Sequence, residues 1–217
     1  MNRREWLRHA AALAGSLAAG IRTHARQDAA WTPLFDGVSL DGWEQTSFGG
    51  EGPVTVRDGM IVLGFGDSLT GITWTRDVPR MNFEIALEAV RLSGNDFFCG
   101  LTFPVADSYC SFIVGGWGGT TVGLSSLDGM DASENETTRE IRFEDGRWYG
   151  IRVAVRPHDI RAWLDEEEVV NVATAGRRID IRPEVEPSIP LGIASYRTRA
   201  GLRSIRMRTI AGVEGGA

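Results

Sequence analysis

Between residues 34 and 43 the chain reads Leu-Phe-Asp-Gly-Val-Ser-Leu-Asp-Gly-Trp, two Asp-Gly steps framed by aromatic side chains. Gly37 and Gly42 can take φ > 0 at no steric cost, and the carboxylates of Asp36 and Asp41 can bond turn amides. Phe35, Leu40 and Trp43 bring apolar surface that needs a core. A segment of this kind opens a domain with tight turns rather than a helix, and everything downstream has to be compatible with it.

The downstream pattern is short strands between Gly and Asp turns. Val54–Val56 and Met60–Leu63 flank an Asp58-Gly59 turn, the composition of a two-residue hairpin loop. From Phe83 to Arg91 the side chains alternate, with Phe83, Ile85, Leu87 and Ala89 on one face and Glu84, Glu88 and Val90 on the other, a half-buried strand by period. Trp148–Val155 and Ile160–Asp165 form a hairpin turning at Pro157-His158-Asp159. Thr121–Ser125, Val169–Val172, Ile189–Tyr196 and Leu202–Ile210 add further strands, the last without clean alternation. No stretch supports a helix longer than two turns. With 27 glycines and 7 tryptophans, the pattern predicts an antiparallel sandwich or barrel.

The 34–43 motif resembles the opening of the 3-keto-disaccharide hydrolase family, and the likeness extends over nearly all of residues 31–210. It includes the Trp148 strand, the Arg161–Asp165 strand and Pro190-Leu191-Gly192-Ile193. The resemblance implies an all-β, antiparallel two-sheet jelly-roll sandwich of the concanavalin A-like lectin/glucanase type. On that basis the Val54–Leu63 hairpin is expected beside the Leu202–Ile210 strand. It also implies cleavage of the glycosidic bond of 3-keto-disaccharides or 3-keto-glycosides. The chain departs from the family in one hairpin. Members carry an Asn-Ser-Gly strand followed by Tyr-Glu-x-Gln-Ile. Here the corresponding segments are Gly94-Asn95-Asp96-Phe97-Phe98 and Tyr109-Cys110-Ser111-Phe112-Ile113, without the Glu or Gln.

The ends differ from the body. Asn2-Arg3-Arg4-Glu5-Trp6-Leu7-Arg8 is a twin-arginine pattern, Ala10–Ile21 an apolar run too short to span a bilayer, and Thr23-His24-Ala25 a small-x-Ala site. Residues 1–25 therefore read as a twin-arginine export signal, residues 31–210 as one β-sandwich domain and 211–217 as a tail. The expected address is a bacterial periplasm or beyond, with membrane contact only through an uncleaved signal. The whole chain has 23 basic and 29 acidic residues. Removing the signal, with its four arginines and one glutamate, leaves a formal charge of −9. With no lysine in the chain and its arginines scattered among acids, a nucleic-acid partner is excluded. The two cysteines, Cys99 and Cys110, flank a turn placed at Pro104–Asp107, which sets them nearly opposite each other as either a cross-strand disulfide or two buried thiols.

Chemistry-bearing residues gather mid-chain. Asn95 and Asp96 open a strand, Trp117 stands among four glycines, and the polar loop Ser126–Glu140 carries Asp128, Asp131, Glu134, Asn135 and Glu136. An indole stacks on the apolar face of a pyranose, while carboxylates and amides bond its hydroxyls. Asp96, Glu134 and Glu136 are the catalytic candidates, as acid and base. Asn95, Trp117, Asp128, Asp131 and Asn135 are the substrate-binding candidates. Equally open are Trp117 as an edge of the core, the acids as a solvated surface, and Asp128 and Asp131 as oxygen ligands of a divalent cation such as calcium. His158 is the one histidine outside the signal, so a Ser/His/Asp triad or a His-rich metal site lacks its parts. Two functions fit: an exported 3-keto-glycoside hydrolase, or a non-catalytic lectin-like carbohydrate-binding module.

Overall fold

The structure, a computed structural model, describes residues 29–210; residues 1–25, read above as an export signal, and the 211–217 tail lie outside the described residues. Fifteen strands follow in order: β1 (Thr32–Pro33), β2 (Trp43–Gln45), β3 (Val54–Arg57), β4 (Met60–Leu63), β5 (Leu69–Trp74), β6 (Phe83–Gly94), β7 (Cys99–Val105) and β8 (Ser108–Gly116). Then come β9 (Thr121–Ser125), β10 (Arg139–Glu140), β11 (Trp148–Val155), β12 (Asp159–Leu164), β13 (Glu167–Ala173), β14 (Gly192–Tyr196) and β15 (Thr198–Thr209). A single 3-10 turn, Pro183–Ser188, interrupts them.

One sheet runs β13-β12-β11-β6-β15-β4-β3 with β1 added on β15; the other runs β10-β9-β8-β7-β14-β5-β2. The inner faces enclose one core. Phe83, Ile85, Leu87 and Ala89 of β6 share it with Leu101 and Phe103 of β7 and Phe112 of β8. The sequence alternation thus holds, and its outer partner Glu84 is buried too, at 2% exposure, because Arg152 and Arg208 bond its two oxygens. The Val54–Leu63 hairpin turns on Asp58 and Gly59, both at positive φ, and Ile61–Leu63 pair with Ala200–Leu202 of β15 as expected. The weak alternation of β15 also has a cause. Its register against β6 shifts between Arg203 and Arg206, where β15 spends one more residue than β6 and Ser204 has φ 55°; this bulge reverses the face of the residues beyond it.

The opening motif behaves as a pair of turns with one change. Asp36 accepts the amides of Val38 and Ser39 at 2.8 Å each, whereas the Asp41 carboxylate pairs with Arg76 at 2.6 Å. Trp43 is buried edge-on against Trp74 and donates its indole N–H to the Leu34 carbonyl at 2.7 Å. Gly42 is obligatory for a second reason besides its φ of 80°: a Cβ there would lie 2.6 Å from the Trp74 ring.

The cysteine register requires correction. The β7–β8 loop is only Ala106-Asp107, so Cys99 faces Val114 and Cys110 faces Phe103. Four residues of offset separate the two thiols by about 13 Å along the strands, beyond bridging distance. Both are free and wholly buried. Burial pushes the Cys99 thiol far up and the Cys110 thiol to about 12.

Candidate functional site

The outer face of the second sheet is paved with small residues: Gly71, Gly100, Gly123, Gly192 and Ala194. Their smallness lets other segments lie on the sheet. A Cβ at Gly192 would sit 2.6 Å from Ser188, and one at Gly123 would sit 3.0 Å from the Ala132 carbonyl. The 3-10 turn therefore seats on β14, and the acidic loop seats on β9. Where neither covers the sheet, a cleft of about 420 Å³ remains, within the usual range for a small-ligand site.

Ser111 and Ile113 of β8, Leu69 of β5 and Ser125 of β9 line this cleft, together with Ser68. One wall is Asp96, Phe97, Trp117 and Tyr196; another is Arg182, Glu184 and Val185. Strand register separates the two walls. Asp96 precedes the start of β7 and Tyr196 ends β14, while the 3-10 turn packs on Gly192 at the other end of β14.

The first wall is tied to the β-scaffold at several points. The Asp96 amide donates to Thr198 Oγ1 at 3.1 Å, one carboxylate oxygen accepts the Phe97 amide at 2.8 Å, and the other faces the Gly118 amide at 3.4 Å. Asp96 and the Trp117 loop are thereby coupled. Trp117 has φ 46° and is 42% exposed, an unusual backbone for a bulky residue. Flanking Gly115, Gly118 and Gly119, all at positive φ, make the excursion that presents its indole. Phe97 stacks on Tyr196 at 5.9 Å with 26° between planes, giving a second aromatic surface beside the first.

On the second wall Arg182 donates to both oxygens of Glu184, at 3.0 and 3.3 Å, and to Asp131. The guanidinium holds the Glu184 carboxyl below its usual range, and the carboxylates raise Arg182 in return. Asp131 also accepts from Ser125 Oγ at 3.2 Å, which links the wall to the lining of the cleft.

The other sequence candidates are not at the cleft. Asn95 is exposed beside it, outside the lining. Asn135 is buried and structural: its Nδ2 donates to the carbonyls of Leu124, Asp131 and Met130, and its Oδ1 accepts the Thr137 amide and hydroxyl. No polar atom of that amide is left for a substrate. Asp128 and Glu136 are both bonded by Arg177. The Asp128 carboxyl is held low first by the Arg178 amide and then by Arg177; that of Glu136 is held low first by its own amide and then by Arg177. Glu134 is exposed and lies outside the lining of the cleft. The acids do not make a calcium cage, since guanidinium groups take their oxygens; among the described residues no group of three or more metal-capable side chains occurs.

Of the eight candidates the structure brings Asp96 and Trp117 together in the cleft and places Asp131 one bond behind it. Arg182 and Glu184 carry no strand or helix period, and only one cue marks them. Arg177, Arg178 and Arg182 are a cationic cluster of a size to match the acids at 128–136. Tyr196 was legible as a strand residue, but its stack with Phe97, which lies between β6 and β7, was not.

The profile of the 3-keto-α-glucoside-1,2-lyase-like domain matches residues 30–208. No curated protein sequence matches the chain. Among solved structures, a Bacillus licheniformis β-glucanase superposes with a TM-score of 0.57 at 9% identity, covering 86% of this chain and 100% of that one. A carbohydrate-binding module from Bacillus subtilis gives 0.53 at 12% identity over 77% and 96%. A glycosyl-hydrolase-like protein from Parabacteroides distasonis gives 0.52 at 15% identity over 83% and 94%. At such identities these likenesses establish the sandwich fold alone.

Proposed function

This chain belongs to the 3-keto-α-glucoside-1,2-lyase-like family, and from that premise we propose that its cleft binds a 3-oxidised glycoside and cleaves the bond at C1. The observation that carries the reading is the meeting of Asp96, Trp117 and Arg182 around one cleft. A ketone at C3 acidifies the C2 proton. In a gluco-configured ring that C–H bond is axial, so its base approaches from a ring face, whereas the C3 oxygen lies in the ring edge. Trp117 offers a platform for a face and Asp96 stands beside it, coupled through the Gly118 amide. Of the two carboxylates at the cleft the base is assigned to Asp96, which stands beside Trp117, because Glu184 is clamped at both oxygens by Arg182, whose guanidinium holds its carboxyl below the usual range. Arg182 polarises the ketone and stabilises the enolate. The C1–O bond then breaks, the proton returns to the departing oxygen, and water adds across C1=C2 to complete a net hydrolysis.

The test is a set of single variants assayed on a 3-keto-glycoside and, for binding, on its unoxidised parent. Asp96→Asn should cut kcat by a factor of about 10² or more, the usual scale of general-base loss, with binding retained. Trp117→Ala should weaken binding of both ligands by about 1–2 kcal/mol. If wild-type protein binds sugar through Trp117 but turns over no 3-keto-glycoside, the chain is the lectin-like binding module instead. The Asn2–Arg8 and Ala10–Ile21 segments support the further reading that the protein is exported by the twin-arginine route.

A further inference from the structure

The inward-facing residues of β6 run Phe83, Ile85, Leu87, Ala89 and then Arg91, which pairs with the core residue Ala200 of β15. An arginine in that series, 9% exposed, is costly to bury unless its donors are met. All of its nitrogens are engaged. Nε donates to Asp145 at 2.6 Å, Nη2 to the Phe143 carbonyl at 2.7 Å and Nη1 to the Gly119 carbonyl at 3.3 Å. The guanidinium thus reaches from the first sheet to the β8–β9 turn of the second, the turn that carries Trp117.

The two carbonyls differ in how firmly they are held without it. Phe143 is fixed by its ring, edge-on to Phe98 and Tyr149, and the neighbouring Gly146 amide donates to the Arg91 carbonyl at 2.8 Å. The Trp117 turn has less of its own. The Gly116 carbonyl accepts the amides of Gly119 and Thr120 at 3.1 and 3.2 Å, but Gly115, Gly118 and Gly119 leave the turn the conformational freedom of glycine. A Cβ on Gly119 would lie 2.9 Å from Arg91 Nη1 and 3.1 Å from the Asn95 carbonyl oxygen. Gly119 is therefore seated between the guanidinium and the segment that leads into Asp96. Resting on the reading of the cleft above, we infer that Arg91 is a positioning residue of the site: it ties the Trp117 turn to the core and so sets the place of the indole relative to Asp96. It acts through Trp117 alone, since it lies outside the lining of the cleft.

The test incorporates fluorotryptophan and compares wild type, Arg91→Met and Arg152→Met by fluorine NMR. Arg152 also bonds a buried partner, Glu84, but on the outer face of the first sheet, so its variant reports lost stability without reaching the cleft. The Trp117 resonance, identified by its loss in Trp117→Phe, should be one narrow line in wild type and in Arg152→Met, and broadened or split in Arg91→Met. In calorimetry Arg91→Met should bind methyl α-glucoside about fivefold more weakly, the scale of one hydrogen bond's net contribution, and Arg152→Met should bind as wild type. That loss should vanish in a Trp117→Ala background, where nothing is left to position. An unaltered Trp117 line in Arg91→Met, or the same loss with and without Trp117, overturns the inference. If methyl α-glucoside does not bind wild type, or binds independently of Trp117, the reading of the cleft falls, and the Trp117 line alone decides whether Arg91 holds the turn. Should Arg91→Met fail to fold, Arg91→Lys carries the same comparison, since an ammonium keeps a cation for Asp145 but lacks the fork that spans both carbonyls.

Discussion

At the residue scale, Asn135 and Trp117 show that a side chain serves scaffold or site according to which of its atoms are left over. Five hydrogen bonds consume the amide of Asn135 and pin the acidic loop to the end of β9. Replacing it with Ala leaves buried carbonyls and a buried amide without partners, each costly when unmet. Asn135→Ala should therefore lose about 2–3 kcal/mol, read as a lower urea midpoint and a Tm lower by roughly 5–10 °C. An unchanged midpoint would mean that the loop is not held by this amide. Trp117 is the converse, a large apolar side chain kept in solvent by a left-handed backbone. The Arg177 clasp adds a pH signature. Asp128 and Glu136 have lowered values in the folded protein, so the stabilisation they give is present above the ordinary carboxylate range, about pH 4, and is lost as pH falls through their lowered folded values. Arg177→Ala should flatten that acid limb of the stability curve. The residue types in the loop were legible in the sequence, but their assignment to clasp, anchor or cleft was not, because it depends on arginines some 50 positions away.

At the element scale, the strands were readable wherever one face is buried and alternation survives, as in β6, β11 and β12. They were unreadable where bulges reset the period, as in β15, or where proline and charge give no period, as in the 177–188 segment that supplies Arg182 and Glu184. The β7–β8 hairpin shows how much hangs on one turn. Placing it at Pro104–Asp107 sets the cysteines nearly opposite; placing it at Ala106-Asp107 sets Cys99 on Val114 and Cys110 on Phe103, four residues apart. A thiol-reactive reagent such as a disulfide dye should label no cysteine in native protein and two after denaturation without reductant, since both thiols are buried and protonated. Recovery of no free thiol after denaturation would contradict this register.

At the scale of the whole molecule, the free cysteines and the proposed route of export belong to one argument. The sandwich closes through distant pairings: β6 with β15 joins residues about 120 positions apart, the kind of contact that folds slowly. An unfolded chain threaded into an oxidising compartment would expose Cys99 and Cys110 during that interval, free to form disulfides within or between chains that the native register cannot hold. Twin-arginine export passes a chain that has already folded, so both thiols would cross sealed in the core. The prediction has two parts. Arg3→Lys with Arg4→Lys should leave the protein in the cytoplasm, because the planar guanidinium pair is not reproduced by ammonium groups. Redirecting the same domain with a signal for unfolded secretion should yield disulfide-linked, inactive material, which a Cys99→Ala, Cys110→Ala double variant relieves. Continued export of the double-lysine variant, or clean two-thiol protein from the unfolded route, would break the link between the buried cysteines and the path out of the cell.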